Sequence, residues 1–273
     1  LFKRSILTLS GAFERTFQKG KVIGDRYRIE MLLGTGGYGH SYLAFDLADR
    51  GLVVLKTLRL HKRLTVWGRK SFETEQYIMQ QTNHRGLPAF YGNGIYRGIP
   101  YFTMEYKVGK NFEQLIFHEG MSFKEQDAFG IAYKLLGIVG YLHELKIIHR
   151  DIRIPNVLMD NDEVYLIDLG LAQKADMGQV SFPGSHRSLR KAKNRPSDFY
   201  GLGHFLLFLL YSSYSPKEGQ PEKSWEEELR ISPKARKIIR RLLLIESEYT
   251  DCLEIRRDIE QILCKEENKH VVI

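Results

Sequence analysis

The chain is poor in cysteine. Its two, Cys252 and Cys264 among 273 residues, stand in no C-x-x-C or Cys/His metal spacing. That points away from a disulfide-stapled scaffold or a zinc module and toward a reduced, cytosolic interior. Long apolar runs are also missing. The longest, FLLFLLY at 205–211, is far short of the ~20 residues a membrane span needs and reads as a buried helix. No low-complexity tract and no internal repeat is present, which excludes repeat arrays. Hydrophobic residues make up 43% and aromatics 12%, enough for a folded core rather than a disordered chain. The length fits one large domain or two lobes. The net charge of +8 fits either an acidic partner or a solvated basic surface, and composition does not choose between them.

The opening stretch LFKRSILTLSGAF sets basic residues before a short apolar segment broken by Thr and Ser, which is a poor signal peptide. Phe2, Ile6, Leu9, Phe13 and Phe17 recur near helical spacing, with Lys3, Arg4, Arg15 and Lys19 elsewhere. A basic amphipathic extension over 1–24 follows. It would pack on the folded domain or lie on a partner or a membrane surface.

From Tyr27 the pattern becomes that of short strands: YRIEMLL (27–33), then GTGGYGHSYLAF (34–45) with a glycine turn, then LVVLKTL (52–58). A helix is predicted from about Gly68 to Thr82, with Phe72, Ile78 and Met79 facing inward. Two strands around a Gly-containing turn fill 87–106. Beyond Tyr106 the character changes. SFKEQDAFGIAYKLLGIVGYLHELK (122–146) reads as a long helix, with Ser122 and Glu125 in capping-box spacing. Two short strands flank Asn161-Asp162, and the remainder from about Ser197 is mostly helical.

Four elements carry chemistry. Gly34-Thr-Gly36-Gly37-Tyr-Gly39 matches G-x-G-x-x-G, but a strand follows it where a dinucleotide fold needs a helix, and a P-loop's Lys-Ser/Thr is missing. A hairpin tip without Cβ atoms remains, either an ordinary turn or a backbone cradle for phosphates. Lys56 stands in an apolar strand and needs an anion unless it points to solvent; Glu73 and Glu75 on the next helix are candidates. HRDIRIPN (149–156) and LIDLG (166–170) supply Asp151 to orient an acceptor hydroxyl. They also supply Asn156 and Asp168 as hard oxygen ligands for a metal.

In this order, glycine loop, strand lysine, helix glutamate, H-R-D-x-x-x-x-N and D-x-G resemble the protein kinase superfamily over roughly 25–262, and look most like its bacterial serine/threonine members. The resemblance implies an α+β, bilobal protein-kinase-like fold. A β-rich N-lobe with one main helix would span 25–106, and a mostly α-helical C-lobe 107–273. Gly34, Gly36 and Gly39 would cover the ATP phosphates, and Lys56, partnered by Glu75, would bind the α- and β-phosphates. Met104 would be the gatekeeper, Glu105-Tyr106-Lys107 the hinge beside adenine, Ser41 and Val54 the roof of its pocket and Leu158 the floor. Asp151 would be the base, Arg153 would reach the transferring phosphate, and Asn156 and Asp168 would hold Mg²⁺, with Mn²⁺ as an alternative. Asp198 would steady the catalytic loop, and His149 would pack in the core.

The departures are specific. Ser41 stands where the family usually has Val, and Val54 where it usually has Ala, so the volumes offset in part. DFG is DLG. Arg153 replaces the lysine usual in serine/threonine kinases. No APE motif appears in AQKADMGQVSFPGSHRSLRKAKNRPSD, and no Arg precedes Tyr249 to pair with its glutamate; losing both partners together costs little. The same stretch holds Arg187, Arg190, Lys191, Lys193 and Arg195 beside Ser181, Ser185 and Ser188. A clamped phosphoserine, an acidic protein or nucleic-acid partner at 187–195, and a solvated basic loop all fit. The implied activity is Mg-ATP-dependent phosphorylation of protein hydroxyls, Ser/Thr first, with autophosphorylation. A small-molecule kinase of the same fold and a pseudokinase scaffold are the alternatives. The implied location is the cytoplasm, with peripheral membrane association through the N-terminal segment as a variant.

Overall fold

The computed structural model describes residues 16–37, 39–175, 192–215 and 223–264. Two compact units divide between Lys107 and Val108.

The first unit is built on a six-stranded antiparallel sheet in the order β1-β2-β3-β4-β6-β5. The strands are β1 Val22–Ile23, β2 Tyr27–Thr35, β3 Gly39–Asp46, β4 Leu52–Leu58, β5 Phe90–Tyr96 and β6 Ile99–Glu105. Strand β4 has the predicted bounds. Its β-branched, apolar residues are buried on both faces, as a central strand requires. One face of the sheet packs Ile23, Tyr27, Ile29, Tyr42, Ala44, Val53 and Leu55 into a core. The sheet begins earlier than the boundary expected at residue 25. Strand β1 pairs with β2, and the backbone of Gly20 and Lys21 bonds to Ile29. Phe17 is drawn in as well: its N–H donates to the Tyr42 hydroxyl at 3.1 Å, and its ring meets Tyr42 and Tyr96. The other aromatic and aliphatic positions predicted for that extension lie outside the described residues.

The main helix of this unit is Val66–Gln80. Thr65 caps it by accepting the Gly68 N–H at 3.0 Å. The predicted Phe72, Ile78 and Met79 are buried, and Phe72 packs on Phe102 at 5.0 Å between ring centroids. A short helix, Leu60–Arg63, precedes it and has no counterpart in the sequence reading.

The second unit is mostly helical: Phe112–Phe117, Glu125–Glu144, Arg195–Tyr211, Trp225–Glu228, Pro233–Leu242 and Cys252–Leu263. Two small sheets complete it. One joins β10 Glu163–Leu166, β9 Val157–Asp160 and β7 Lys110–Asn111; the other joins β11 Gln173–Lys174 and β8 Ile147–Ile148. Helix Glu125–Glu144 buries Phe129, Leu135, Leu136 and Leu142, and Phe112 joins Phe123 to Phe205 of Arg195–Tyr211 through ring contacts at 5.4 and 5.2 Å. Its cap differs from the predicted box. Lys124 is the cap residue, and its N–H donates to Asp127 at 3.2 Å. The Glu125 carboxylate instead accepts from the Ser232 N–H and hydroxyl, both at 2.6 Å, at the start of Pro233–Leu242.

Late in the second unit, Arg241 of Pro233–Leu242 gathers charge from the last helix. It pairs with Glu254 at 2.5 Å and Asp258 at 3.2 Å, and it stacks 3.7 Å over the buried Tyr249 ring, whose hydroxyl donates to Asp258. Among the described residues, no helix is long and apolar enough to cross a membrane.

Candidate active site

In the first unit the sheet face opposite the core carries a row of predicted site residues. Directly opposed residues of an antiparallel pair share a face. Gly34 opposes Ser41, Ser41 opposes Lys56, and Lys56 opposes Phe102. Two residues along, Val54 opposes both Leu43 and Met104. Ser41, Val54, Lys56 and Met104 therefore lie on one surface, with Val54 and Met104 mostly buried. The two departures from the family pattern are thus on the same face, as volume compensation requires.

Lys56 does not point to solvent. Its Nζ lies 2.6 Å from Glu75 Oε1, and the two side chains are 8% and 3% exposed. Of the two glutamates offered by sequence, Glu75 is the one turned inward, on the stripe of Phe72, Ile78 and Met79; Glu73 is exposed. A lysine buried this deeply keeps its charge only beside an anion.

The three glycines differ in what their own fold asks of them. A Cβ on Gly39 would sit 2.2 Å from the Thr57 carbonyl, so the close approach of β3 to β4 demands glycine there. Gly34 and Gly36 have no such neighbour; the closest atom to a Cβ at Gly36 is 3.9 Å away, and none lies within 4 Å of one at Gly34. Neither has a positive φ. Packing and backbone conformation leave both positions open to larger residues.

At the end of this unit, the Glu105 N–H donates to the Ala89 carbonyl at 2.8 Å. Its carboxylate accepts from the Ala89 N–H and holds Lys107 Nζ at 2.7 Å. Tyr106 follows it, half-buried.

In the second unit, Asp151, Arg153 and Asn156 form one cluster. Asn156 Nδ2 donates to Asp151 Oδ2 at 2.7 Å and to the Asp151 carbonyl at 2.9 Å. This turns Asn156 Oδ1 away from Asp151. Arg153 Nε reaches the Asp151 carboxylate at 3.1 Å from a side chain 54% exposed, a contact that contributes little stability and leaves the guanidinium able to move. Asp168 arrives through the β9–β10 ladder: Val157 opposes Leu166, and the Ile167 N–H donates to the Asn156 carbonyl at 2.9 Å. Asp168 adopts φ 65° and ψ 81°, and its carboxylate accepts the Gly170 N–H at 3.1 Å. Left-handed aspartate is tolerated because its short side chain bonds locally. The next residue, Leu169, is buried, as is Leu158 on β9.

Behind the cluster sits Asp198, 1% exposed, in the first turn of Arg195–Tyr211. Its Oδ2 accepts the His149 N–H at 2.9 Å, and its Oδ1 accepts the Arg150 N–H at 2.7 Å. Arg150 is held at φ 66°, a costly conformation for a long side chain that persists only when its surroundings fix it. His149 is fully buried, its Nδ1 accepts the Asp151 N–H at 3.2 Å, and burial pushes its pKa down.

Two further supports were not read from sequence. His143 Nε2 bonds Asp198 Oδ2 at 2.9 Å, and the Cys252 thiol lies 3.7 Å from His143 Nδ1. Burial holds the thiol up at about 12, so Cys252 is a packing group rather than a nucleophile. Of the basic segment, Lys193 is exposed and Arg195 donates to the Thr250 carbonyl at 3.5 Å. Ser181, Ser185, Ser188, Arg187, Arg190 and Lys191 lie outside the described residues.

The chain is similar to known proteins over most of its length. The family model of the protein kinase domain matches residues 27–269. The probable serine/threonine-protein kinase YbdM of Bacillus subtilis is 34% identical over 251 residues, covering 92% of this chain and 94% of that protein. The serine/threonine-protein kinase PrkC of the same organism is 26% identical over 212 residues; the match covers 74% of this chain but only 32% of PrkC. Among solved structures, the kinase domain of Mycobacterium tuberculosis PknI matches with a TM-score of 0.69 at 20% identity, over 90% of this chain and 99% of that one. That likeness concerns the fold. With the family model spanning most of its length, the chain belongs to the protein kinase domain family.

Proposed function

We propose that this chain is an ATP-dependent protein kinase that transfers the γ-phosphoryl group to serine or threonine hydroxyls. The observation that carries the reading is the Asp151–Asn156 pair beside Asp168: an oriented carboxylate next to two hard oxygen donors. Asn156, through the Oδ1 turned away from Asp151, and Asp168 fit Mg²⁺, which binds through few protein oxygens and completes its shell with water and phosphate. Bound there, the ion would neutralise phosphate charge.

The chain's own residues take the remaining roles. Gly34 and Gly36, open to larger side chains yet occupied by glycine, would let phosphate oxygens approach the backbone closely, with the Gly36 N–H bonded to the Gly39 carbonyl across the turn. Lys56, held by Glu75, presents its ammonium to the α- and β-phosphates. In the first unit, Met104, Val54 and Ser41 would face adenine, with Glu105 and Tyr106 offering it backbone groups; in the second, Leu158 would supply an apolar contact to the base. Asp151 orients the acceptor hydroxyl and takes its proton as the oxygen–phosphorus bond forms and the bond to the β-phosphate oxygen breaks, releasing ADP. Arg153, beside Asp151, would meet the transferring phosphate.

The test is phosphorylation with labelled ATP and Mg²⁺, on the protein itself and on generic protein acceptors, with Asp151→Asn as control. Label on Ser or Thr that disappears in the variant is the expected result. Label retained by Asp151→Asn would remove Asp151 from its role. ATP binding without label on any protein would favour a small-molecule acceptor.

A further inference from the structure

Between Arg50 and Phe72 the chain has no acidic residue. The two helices in this stretch, Leu60–Arg63 and Val66–Gln80, meet in a turn whose apolar side chains face outward: Leu64 is 75% exposed, Val66 73% and Trp67 60%. They are too many to be scattered singly, since they occupy three of four consecutive positions. Cations surround them. Lys62 Nζ sits 4.8 Å over the Trp67 ring, and Arg69 and Lys70 are exposed on the next turn.

The turn is rigid. Thr65 caps the second helix, and a Cβ on Gly68 would come within 2.4 Å of the Lys62 carbonyl, so the two helices are in close backbone contact. Arg69 donates to the Arg63 carbonyl at 2.5 Å, and Arg63 donates to the Gly98 carbonyl at 3.2 Å, fastening the turn to the β5–β6 hairpin. The backbone that carries these apolar side chains is therefore already ordered within the fold, and the side chains remain more than half exposed.

We infer that this turn is a membrane-docking site, inserting Leu64, Val66 and Trp67 into a bilayer rich in anionic lipid. Charge sets the sign of the partner, because an acid-free cationic stretch, ending only at Glu73, is complementary to anionic headgroups. Shape selects among anionic partners. The apolar side chains stand out from the surface, so a protein partner would need a matching cavity, whereas a bilayer accepts a protrusion of any contour. A single aromatic flanked by two branched aliphatics makes a poor stacking track for bases but a good interfacial anchor. Crowding is consistent with this: burial and the nearby Arg59 push the Lys62 pKa down, a penalty that an anionic headgroup would relieve.

The test uses the whole chain in a Trp225→Phe background, mixed with vesicles of phosphatidylcholine with or without phosphatidylserine. The expected result is co-sedimentation with the phosphatidylserine vesicles alone, weakened by salt, with a blue shift of Trp67 emission. Lys62→Gln with Lys70→Gln should weaken binding ~5-fold for each charge removed. Leu64→Ser with Trp67→Ser should abolish it while leaving the circular-dichroism melt in place. Absence of binding at low salt overturns the proposal. Binding undiminished in Leu64→Ser/Trp67→Ser would also overturn it and place the contact elsewhere in the chain. Equal capture by polyglutamate, independent of Leu64 and Trp67, would assign the surface to an acidic protein.

Discussion

Asp198→Asn is the most informative single substitution in the second unit. The carboxylate receives three hydrogen bonds, from the His149 and Arg150 N–H groups and from His143, at 2.7 to 2.9 Å. Asparagine has nearly the same shape but one acceptor oxygen. With that oxygen in the place of Oδ2, its amide nitrogen faces the Arg150 N–H donor to donor. An unsatisfied buried donor costs about 1–3 kcal/mol, and the remaining bonds lose the strength that the charge gave them. A total loss of about 2–4 kcal/mol follows from those terms. Urea unfolding should show it as a midpoint lowered by ~1 M with unchanged slope.

The kinetic effect should be larger than the stability effect. Asp198 anchors the backbone of Arg150 in its left-handed conformation, and Asp151 is the next residue. A displacement of the base of ~1 Å can cost 10²-fold in rate. So kcat should fall ~100-fold at a temperature where the variant is folded, while KM for ATP changes by less than about twofold, because the nucleotide contacts proposed for Lys56 and the glycine loop are built in the other unit. A variant with the wild-type midpoint, or one that is destabilised yet turns over normally when folded, would refute this account of Asp198.

Two other outcomes follow from the geometry. Gly39→Ala forces a methyl into the Thr57 carbonyl and should lower stability by about 1–3 kcal/mol, whereas Gly36→Ala should leave thermal melting within about 0.5 kcal/mol of wild type and raise KM for ATP; equal melting losses in the two would contradict the distinction. His149 is held below the ordinary histidine value of 6.5, so the unfolded chain takes up a proton more readily than the folded one. Its contribution to stability is present in full above about pH 6.5 and is lost as the pH falls toward the folded value, with His84 shifted in the same direction. Melting scans from about pH 7 to 5.5 should show this decline, and His149→Phe should flatten part of it.

Local signals were legible in the sequence. LVVLKTL read as a strand, central or edge, and its bounds were read correctly; the stripe of Phe72, Ile78 and Met79 located the main helix within two residues. The resemblance supplied Asp198, and the fold put it behind His149 and Arg150. What stayed hidden depends on distant partners. Glu125 looked like half of a capping box because Ser122 stands three residues earlier, but its carboxylate serves Ser232, 107 residues on. His143 and Cys252 gave no local sign of meeting Asp198, since three helices must pack before the contact exists. Arg241 finds its partners Glu254 and Asp258 on another helix, and no motif announces that pairing. The short Leu60–Arg63 helix escaped notice because four residues are too few to show a period.

The open surroundings of Gly34 and Gly36 have a kinetic consequence. Folding leaves the space beside them unfilled; Gly34 pairs with Ser41 and the Gly36 N–H bonds the Gly39 carbonyl, but once those bonds open the glycines have freedom that an alanine would lack. A nucleotide gripped by their backbone must supply the ordering itself, which weakens equilibrium affinity. The same term lowers the barrier to departure. In a transferase whose product differs from its substrate by one phosphate, a loop that relaxes once the γ-phosphate is gone favours release of ADP over its retention, and so keeps the turnover from stalling at its last step.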